Sequence, residues 1–120
     1  MTIASVLRAV MLVAALPLAA CAVKRTTTMY DWGDYQDSVY RMYVKPGEFD
    51  PAAEVHRLET QVQDTLAHDR KVPPGLYAYL AMLCASAGDG PGAAGYFRAE
   101  KAAFPESAVF VDGMLARMSK

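Results

Sequence analysis

The sequence lacks an excess of charge of either sign. It contains 12 lysine and arginine residues against 13 acidic ones, which gives a formal net charge of −1. Nucleic-acid-binding domains carry a clustered basic surface, so this balance excludes nucleic acid as a partner. It also excludes strong long-range attraction to any other charged partner.

The chain has few residues from which a metal or catalytic centre is built. Its two histidines, His56 and His68, are too far apart on one predicted helix to ligate the same metal, and a solvated helix face is the better interpretation. No serine lies in a nucleophile motif, and the glycines between positions 88 and 95 lack the preceding strand and the Lys-Ser/Thr of a phosphate loop. Gly92 and Gly95 instead predict a turn and a close helix crossing. We therefore expect a non-catalytic protein without metal or cofactor.

The apolar run near the amino terminus is too short to cross a membrane permanently. Ala9–Ala20 (AVMLVAALPLAA) follows Arg8, the only charged residue before it. A spanning helix needs roughly 20 apolar residues. A short positive segment followed by such a run is typical of a signal peptide, so we expect residues 1–20 to be removed.

The run closes on Leu18-Ala19-Ala20-Cys21, which resembles the lipobox of bacterial lipoprotein precursors. The resemblance implies a diacylglyceryl group on the Cys21 thiol, cleavage before Cys21 and acylation of the new amine. Small alanines suit a narrow protease site, and cysteine supplies the soft nucleophile. The alternative is an ordinary secretory signal cleaved at an A-x-A-like site. Many proteobacterial lipoproteins kept at the inner membrane carry Asp after the cysteine, so Ala22 implies the outer membrane in a Gram-negative cell.

Lipidation changes the interpretation of both cysteines. Two cysteines in an exported chain would suggest a disulfide. With Cys21 carrying lipid, Cys84 has no intramolecular partner, and its place on an apolar stripe predicts a core residue rather than a reactive thiol. We expect residues 21–29 to form a lipidated cysteine with a flexible tether, and residues 30–120 to form the folded domain.

The rest of the chain predicts an all-α domain. Apolar residues recur at three- and four-residue spacing, and we expect four or five helices and no strand. The helices are predicted to begin near Gly33, Pro51, Leu76, Pro91 and Ser107, and the second to end near Arg70. The predicted inward stripes are Trp32, Tyr35, Val39 and Tyr43; Val55, Leu58, Val62 and Leu66; Leu76, Leu80, Leu83, Cys84 and Ala87; Ala93, Phe97, Glu100 and Phe104; and Phe110, Met114 and Met118.

Residues 80–105 (LAMLCASAGDGPGAAGYFRAEKAAFP) resemble one tetratricopeptide-type helical hairpin. Small Ala81 and Ala93 allow two helices to approach closely, and Phe97 fills the groove between them. The segment departs from that repeat at Cys84, where an aromatic residue is usual, and at Glu100, where a small apolar residue is usual. The two preceding helices are candidates for a divergent second hairpin.

Three features together resemble the small bacterial lipoproteins grouped as domain of unknown function 4810. They are the lipobox, the opening motif Tyr30–Tyr35 (YDWGDY) and the closing motif Glu100–Ser107 (EKAAFPES). The family has no assigned activity. Its genes often lie beside those for a lipoprotein similar to the curli secretion channel and for another small lipoprotein, which implies a shared envelope complex.

The two motifs contain the residues that we select as candidate sites. Trp32, Tyr35 and Tyr40 are possible partner contacts, because tyrosine and tryptophan are enriched at binding hot spots. Core packing is the alternative for Trp32, Tyr35 and Tyr43, whereas Tyr40 lies off the stripe and is expected to be exposed. Glu100 lies on an apolar stripe, where a carboxylate is costly unless it is hydrogen-bonded. We expect it to accept a bond from the Trp32 indole or from a tyrosine hydroxyl of the opening helix; a perturbed acid in a functional site is the alternative.

These features predict an outer-membrane lipoprotein that faces the periplasm and serves as a non-catalytic assembly subunit of an envelope complex. Two hairpins and a final helix leave a face open to another protein or to a second copy of the chain. One alternative is a lipoprotein regulator of a cell-wall enzyme. Another is a periplasmic protein or enzyme that binds a small ligand, which predicts a deep pocket where polar groups converge.

Overall fold

The computed structural model describes Ile3 and residues 28–120. Between residues 28 and 120 the chain is helical with no strand, which confirms the all-α prediction. The five α-helices are α1 (Tyr35–Val44), α2 (Pro51–Ala67), α3 (Leu76–Ser86), α4 (Gly90–Ala103) and α5 (Ala108–Met118), with 3-10 turns at Pro46–Glu48 and Pro105–Ser107. None of the described helices is long and apolar enough to cross a membrane. Apart from Ile3, the predicted signal peptide lies outside the described residues, as do Cys21 and most of the predicted tether.

Two helices begin at aspartate caps, each followed within two residues by a proline. The Asp50 carboxylate accepts the backbone N–H of Ala52 at 3.0 Å, at the start of α2. Asp89 accepts the N–H of Gly92 at 2.9 Å, at the start of α4. Each bond satisfies one of the N–H groups that a helix leaves unpaired in its first turn.

Helix α2 ends before the predicted position near Arg70. Its last turn closes with Asp69 in the left-handed region at φ 52°. The N–H of Arg70 then donates to the Thr65 carbonyl at 2.9 Å, and that of Asp69 to the Leu66 carbonyl at 3.1 Å. This pair of bonds is a Schellman motif, which the sequence conceals because the left-handed residue is aspartate rather than glycine.

Helix α3 is the centre of the domain. It is apolar around most of its circumference, as a helix buried on several sides must be. One buried cluster joins α3 to α2 and the loop after it: Leu58, Val62, Val72, Leu76, Tyr79, Leu80 and Leu83. A second joins α3 to α4 and α5: Ala78, Ala81, Cys84, Ala93, Phe97 and Val111. The predicted hairpin of α3 and α4 is therefore present, with Ala81, Ala93 and Phe97 in its core.

Helix α1 packs Tyr35 and Val39 against the core as predicted, but it also docks through polar groups, and the predicted inward position of Tyr43 is wrong. Tyr43 is 75% exposed, whereas Ser38 is fully buried. The Ser38 hydroxyl donates to the Glu54 carboxylate of α2 at 2.6 Å and lies 3.2 Å from the Tyr79 hydroxyl of α3. Arg41 adds an ion pair to Glu54 at 3.1 Å. These partners turn the serine side of α1 inward.

The inward side of α5 is also rotated from its predicted orientation. Val111 is fully buried, whereas Phe110 is 51% exposed and Met118 is exposed. Met114 packs against the core as expected. The close helix crossing predicted at Gly95 is absent, since a Cβ there would meet nothing within 4 Å.

Candidate functional site: an aromatic groove and two exposed apolar faces

Glu100 is buried in the hairpin, and its hydrogen-bond donors are backbone groups. Its carboxylate accepts the N–H of Gly75 at 2.7 Å and that of Ala78 at 3.3 Å, both at the start of α3. The expected aromatic donor is therefore wrong. A helix start offers several unpaired N–H groups and a positive dipole end, which together suit a carboxylate better than a single indole or hydroxyl. The pKa values of Tyr35 and Tyr77 are raised, first by burial and then by the negative charge of Glu100.

The opening and closing motifs meet in space. The Tyr30 ring packs edge-on against Phe104, with centroids 6.2 Å apart, and against Trp32 at 6.4 Å. Trp32 in turn stacks on Tyr35 at 6.2 Å, and Tyr35 packs on Tyr79 of the core at 5.5 Å. Trp32 and Tyr35 are half-buried in this chain of rings, which connects the start of the domain to the end of α4.

Gly33 allows the opening motif to close on α2. The side-chain amide of Gln61 donates to the Trp32 carbonyl at 3.1 Å and accepts the N–H of Asp34 at 2.9 Å. Gly33 lies between them at φ 39°, and a Cβ at that position would collide with the Gln61 amide. The positive φ therefore favours glycine here, and a Cβ would also displace the Gln61 amide from its two hydrogen bonds.

An aromatic groove lies across α2, α3 and α4. It consists of two adjoining clefts of about 480 and 470 Å³, which share Leu66 and Tyr77. The first cleft extends to Tyr30 and Phe104, and the second to Tyr96. The Tyr77 and Tyr96 rings stack at 6.4 Å, with 18° between their planes. Sequence reasoning missed this groove, and the available signal was the position of Tyr77 and Tyr96 beside, rather than on, the predicted stripes.

Tyr96 is fixed within the groove by Glu59. Its hydroxyl donates to the Glu59 carboxylate of α2. Burial raises the pKa of Tyr96 most, and the hydrogen bond to Glu59 raises it further. The bond ties α4 to α2 across the groove and restrains the Tyr96 ring.

A third cleft, of about 510 Å³, is polar and includes His56. Several charged groups around it are paired with one another. Arg70 contacts Asp31 at 2.9 Å and Asp64 at 2.7 Å, and the Thr65 hydroxyl also donates to Asp31. Among the residues that the structure describes, no three histidine, cysteine, aspartate or glutamate side chains gather as a possible metal site.

Two apolar faces are exposed on the first and last helices. On α1, Tyr40 is 63% exposed and lies beside Tyr43 and Val44. On α5, Val109 is 89% exposed and lies beside Phe110. We name these residues the α1 face and the α5 face.

A family model described as Domain of unknown function (DUF4810) matches residues 29–114. The chain belongs to this family. No curated protein and no solved structure matches the chain. The match ends at Met114 and includes the opening motif, the groove and the closing motif, so these features belong to the DUF4810 domain.

Cys84 is a core residue of the DUF4810 domain. It is buried on α3 with a free thiol, against the small residues of the α3–α4 hairpin. Burial raises the pKa of the thiol, and the nearby charges of Asp89 and Glu59 act in the same direction. A higher pKa lowers the thiolate fraction, so the environment suppresses nucleophilic chemistry.

Proposed function

We propose that this DUF4810 chain is a lipid-anchored outer-membrane protein facing the periplasm, and a non-catalytic assembly subunit of a cell-envelope complex. The lipobox resemblance around Cys21 supports the anchor. The gene neighbourhood implied by the family resemblance supports a lipoprotein similar to the curli secretion channel as the partner. The structural observation that carries the assembly role is the exposed α5 face.

The α5 face suits the docking of another protein. The terminal helix of a helical repeat stack normally has a polar outer surface that ends the stack. Here Val109 and Phe110 lie exposed on that helix. Phe110 also packs edge-on against Phe97 of the core, with centroids 6.3 Å apart, which restrains its ring. A pre-ordered apolar surface of this kind favours protein binding, because little side-chain entropy is lost on contact.

Site-specific photocrosslinking in the native host tests this proposal. A photoreactive amino acid replaces Val109 on α5, and a matched control replaces Arg98, which is exposed on α4. We expect a crosslink from position 109, and not from position 98, to a lipoprotein similar to the curli secretion channel. Reaction of position 109 with a cell-wall synthase would contradict the assembly role and support the regulator alternative. The same yield from both positions would exclude the α5 face as the interface.

The anchor is tested separately by replacing Cys21 with alanine. If the lipobox is used, the wild-type chain loses residues 1–20 and gains the mass of the acyl chains, whereas Cys21→Ala remains as the unmodified precursor. Two or more acyl chains anchor a protein stably, since each buried methylene contributes about 0.8 kcal/mol. A mature chain that starts at Cys21 without lipid would instead indicate an ordinary secretory signal.

A further inference from the structure

No element between residues 28 and 120 covers the α1 face, although the face consists of three large side chains. Tyr40, Tyr43 and Val44 are 63%, 75% and 53% exposed. Tyr43 and Val44 come three and four residues after Tyr40, so all three lie on one side of the helix. Isolated exposed apolar residues are ordinary, but a contiguous stripe marks an interaction surface.

The chemistry of the α1 face suits the headgroup region of a lipid bilayer. Tyrosine concentrates there, because its ring enters the apolar layer while its hydroxyl remains hydrated. Lys45, directly after the helix, has an aliphatic stem that can lie along the same layer while its ammonium stays in water. Lys45 also pairs with Glu48 at 3.5 Å, so the surroundings of the face carry little net positive charge. Burial of apolar groups, rather than attraction to anionic lipid, would therefore drive the contact.

The point at which the chain enters the domain favours the membrane as the occupant of this face. Cys21 and Thr28 are seven positions apart, a distance that extended chain spans in at most about 25 Å. Helix α1 is the first helix after this connection, and Tyr43 lies about 12 Å along it from Tyr35. A domain anchored at Cys21 therefore has α1 closer along the chain to the bilayer than any other helix.

We propose that the α1 face rests in the headgroup region of the bilayer that anchors the chain. This inference rests on the lipid anchor of the proposed function. It assigns the partner of Tyr40 as lipid, and it leaves the α5 face, on the last helix of the stack, available for another protein.

Fluorescence of the lipidated full chain in vesicles tests this inference. The chain is processed in a bacterial host and reconstituted into phosphatidylethanolamine–phosphatidylglycerol vesicles. A Tyr43→Cys variant carries a nitrobenzoxadiazole label; Cys84 is buried, and lipid blocks Cys21. The matched control carries the label at Val109→Cys on α5.

We expect blue-shifted emission and quenching by nitroxide-labelled lipid at position 43 but not at 109. High salt should not reduce either signal at position 43. Adding Tyr40→Ser and Val44→Ser to the Tyr43→Cys chain should abolish both signals.

The other possible fluorescence results contradict the proposed membrane contact in different ways. Equal quenching at positions 43 and 109, or none at 43, overturns the inference. A blue shift at 43 that lipid does not quench, and that fades as the protein is diluted in the vesicles, identifies a second copy as the occupant and also overturns it. Mass spectrometry of the amino-terminal peptide is run on the same samples. Absence of lipid on Cys21 removes the anchor, and with it both the proposed function and this inference.

Discussion

The carboxylate of Glu100, near the end of α4, accepts the backbone N–H of Gly75 at 2.7 Å, where α3 begins. Gly75 is the cap position of α3 and has no side chain with which to accept the free N–H groups of the first turn. Glu100 supplies that acceptor from the neighbouring helix. The α3–α4 hairpin is thus closed at one end by its turn and at the other by this carboxylate.

Replacing Glu100 with alanine should destabilise the domain by about 2–3 kcal/mol, because two N–H groups in a buried setting lose their acceptor. Glu100→Gln keeps the shape and one acceptor oxygen, so its cost should be smaller. Urea denaturation followed by circular dichroism measures both. Glu106→Ala, an exposed residue of the same motif, is the matched control and should change the free energy of unfolding little. A cost for Glu100→Ala no larger than that of the control would contradict the capping role.

The sequence predicts the helices best where the chain carries its own local signal. Asp50 with the proline that follows it, and Pro105 after α4, mark boundaries that the structure has. Prediction of which side of a helix faces the core fails where residues distant in sequence determine that side. Ser38 faces inward because Glu54 and Tyr79 meet it there, and nothing in the sequence around α1 indicates those partners.

Alanine at three glycines should have three different effects. Gly33→Ala should cost about 2–3 kcal/mol, since it combines strain at positive φ with displacement of the Gln61 amide from its hydrogen bonds. Gly88 has φ 84° in open space, so alanine there should cost only the strain, about 1 kcal/mol. Gly95→Ala, within α4 and with no neighbour near its Cβ position, should stabilise by about 0.5–1 kcal/mol. Thermal and urea denaturation of the three variants test this order, and a stabilising Gly33→Ala would contradict it.

Replacing Glu54 with glutamine should loosen α1 selectively. Its carboxylate binds Ser38 and Arg41 of α1 and is itself largely shielded from water. It also pairs with Arg57 of α2, a contact within one helix that does not hold α1. Loss of the charge should weaken the docking of α1 by about 1–2 kcal/mol, which corresponds to roughly tenfold faster amide hydrogen exchange. Exchange in α3 should stay unchanged. The matched control is Glu48→Gln, whose exposed carboxylate pairs with Lys45. Equal acceleration in α1 and α3 would show that α1 does not open independently.

The candidate site was also predictable only where the local sequence carries the signal, and not where distant parts of the chain meet. The aromatic residues of the opening motif are evident in the sequence, and Tyr40 is exposed as expected. The position of Tyr77 and Tyr96 beside the predicted stripes was the one signal of the aromatic groove, whose shape forms only when α2, α3 and α4 bring Leu66, Tyr77 and Tyr96 to one cleft. The donors to Glu100 are backbone N–H groups, which nearly every residue has, so the identity of the residues does not indicate them.

Cys84 should resist thiol reagents until the domain unfolds. Burial removes access, and the raised pKa of the thiol reduces the reactive thiolate at neutral pH. Incubation with iodoacetamide at pH 8, followed by mass spectrometry, should show modification of Cys84 only after urea is added. A cysteine in place of exposed Val109 is the positive control and should react at once. Rapid modification of Cys84 in the native protein would indicate that the α3–α4 hairpin opens frequently.

The hydroxyl of Tyr96 should stabilise the domain below pH 10 and lose this effect as the pH rises. Burial and the Glu59 hydrogen bond raise the pKa of Tyr96 above its ordinary value of 10.0. The folded state therefore retains a proton that the unfolded state releases from about pH 10 upward, and the free energy of unfolding falls with increasing pH. Tyr96→Phe should be about 1 kcal/mol less stable than the wild type at pH 8, through loss of that bond. The difference should shrink by pH 11, as measured by urea denaturation at both values.

Tyr40→Phe, which removes an exposed hydroxyl, is the matched control and should follow the wild type at both pH values. A constant difference between Tyr96→Phe and the wild type would mean that the Tyr96 proton is not linked to folding.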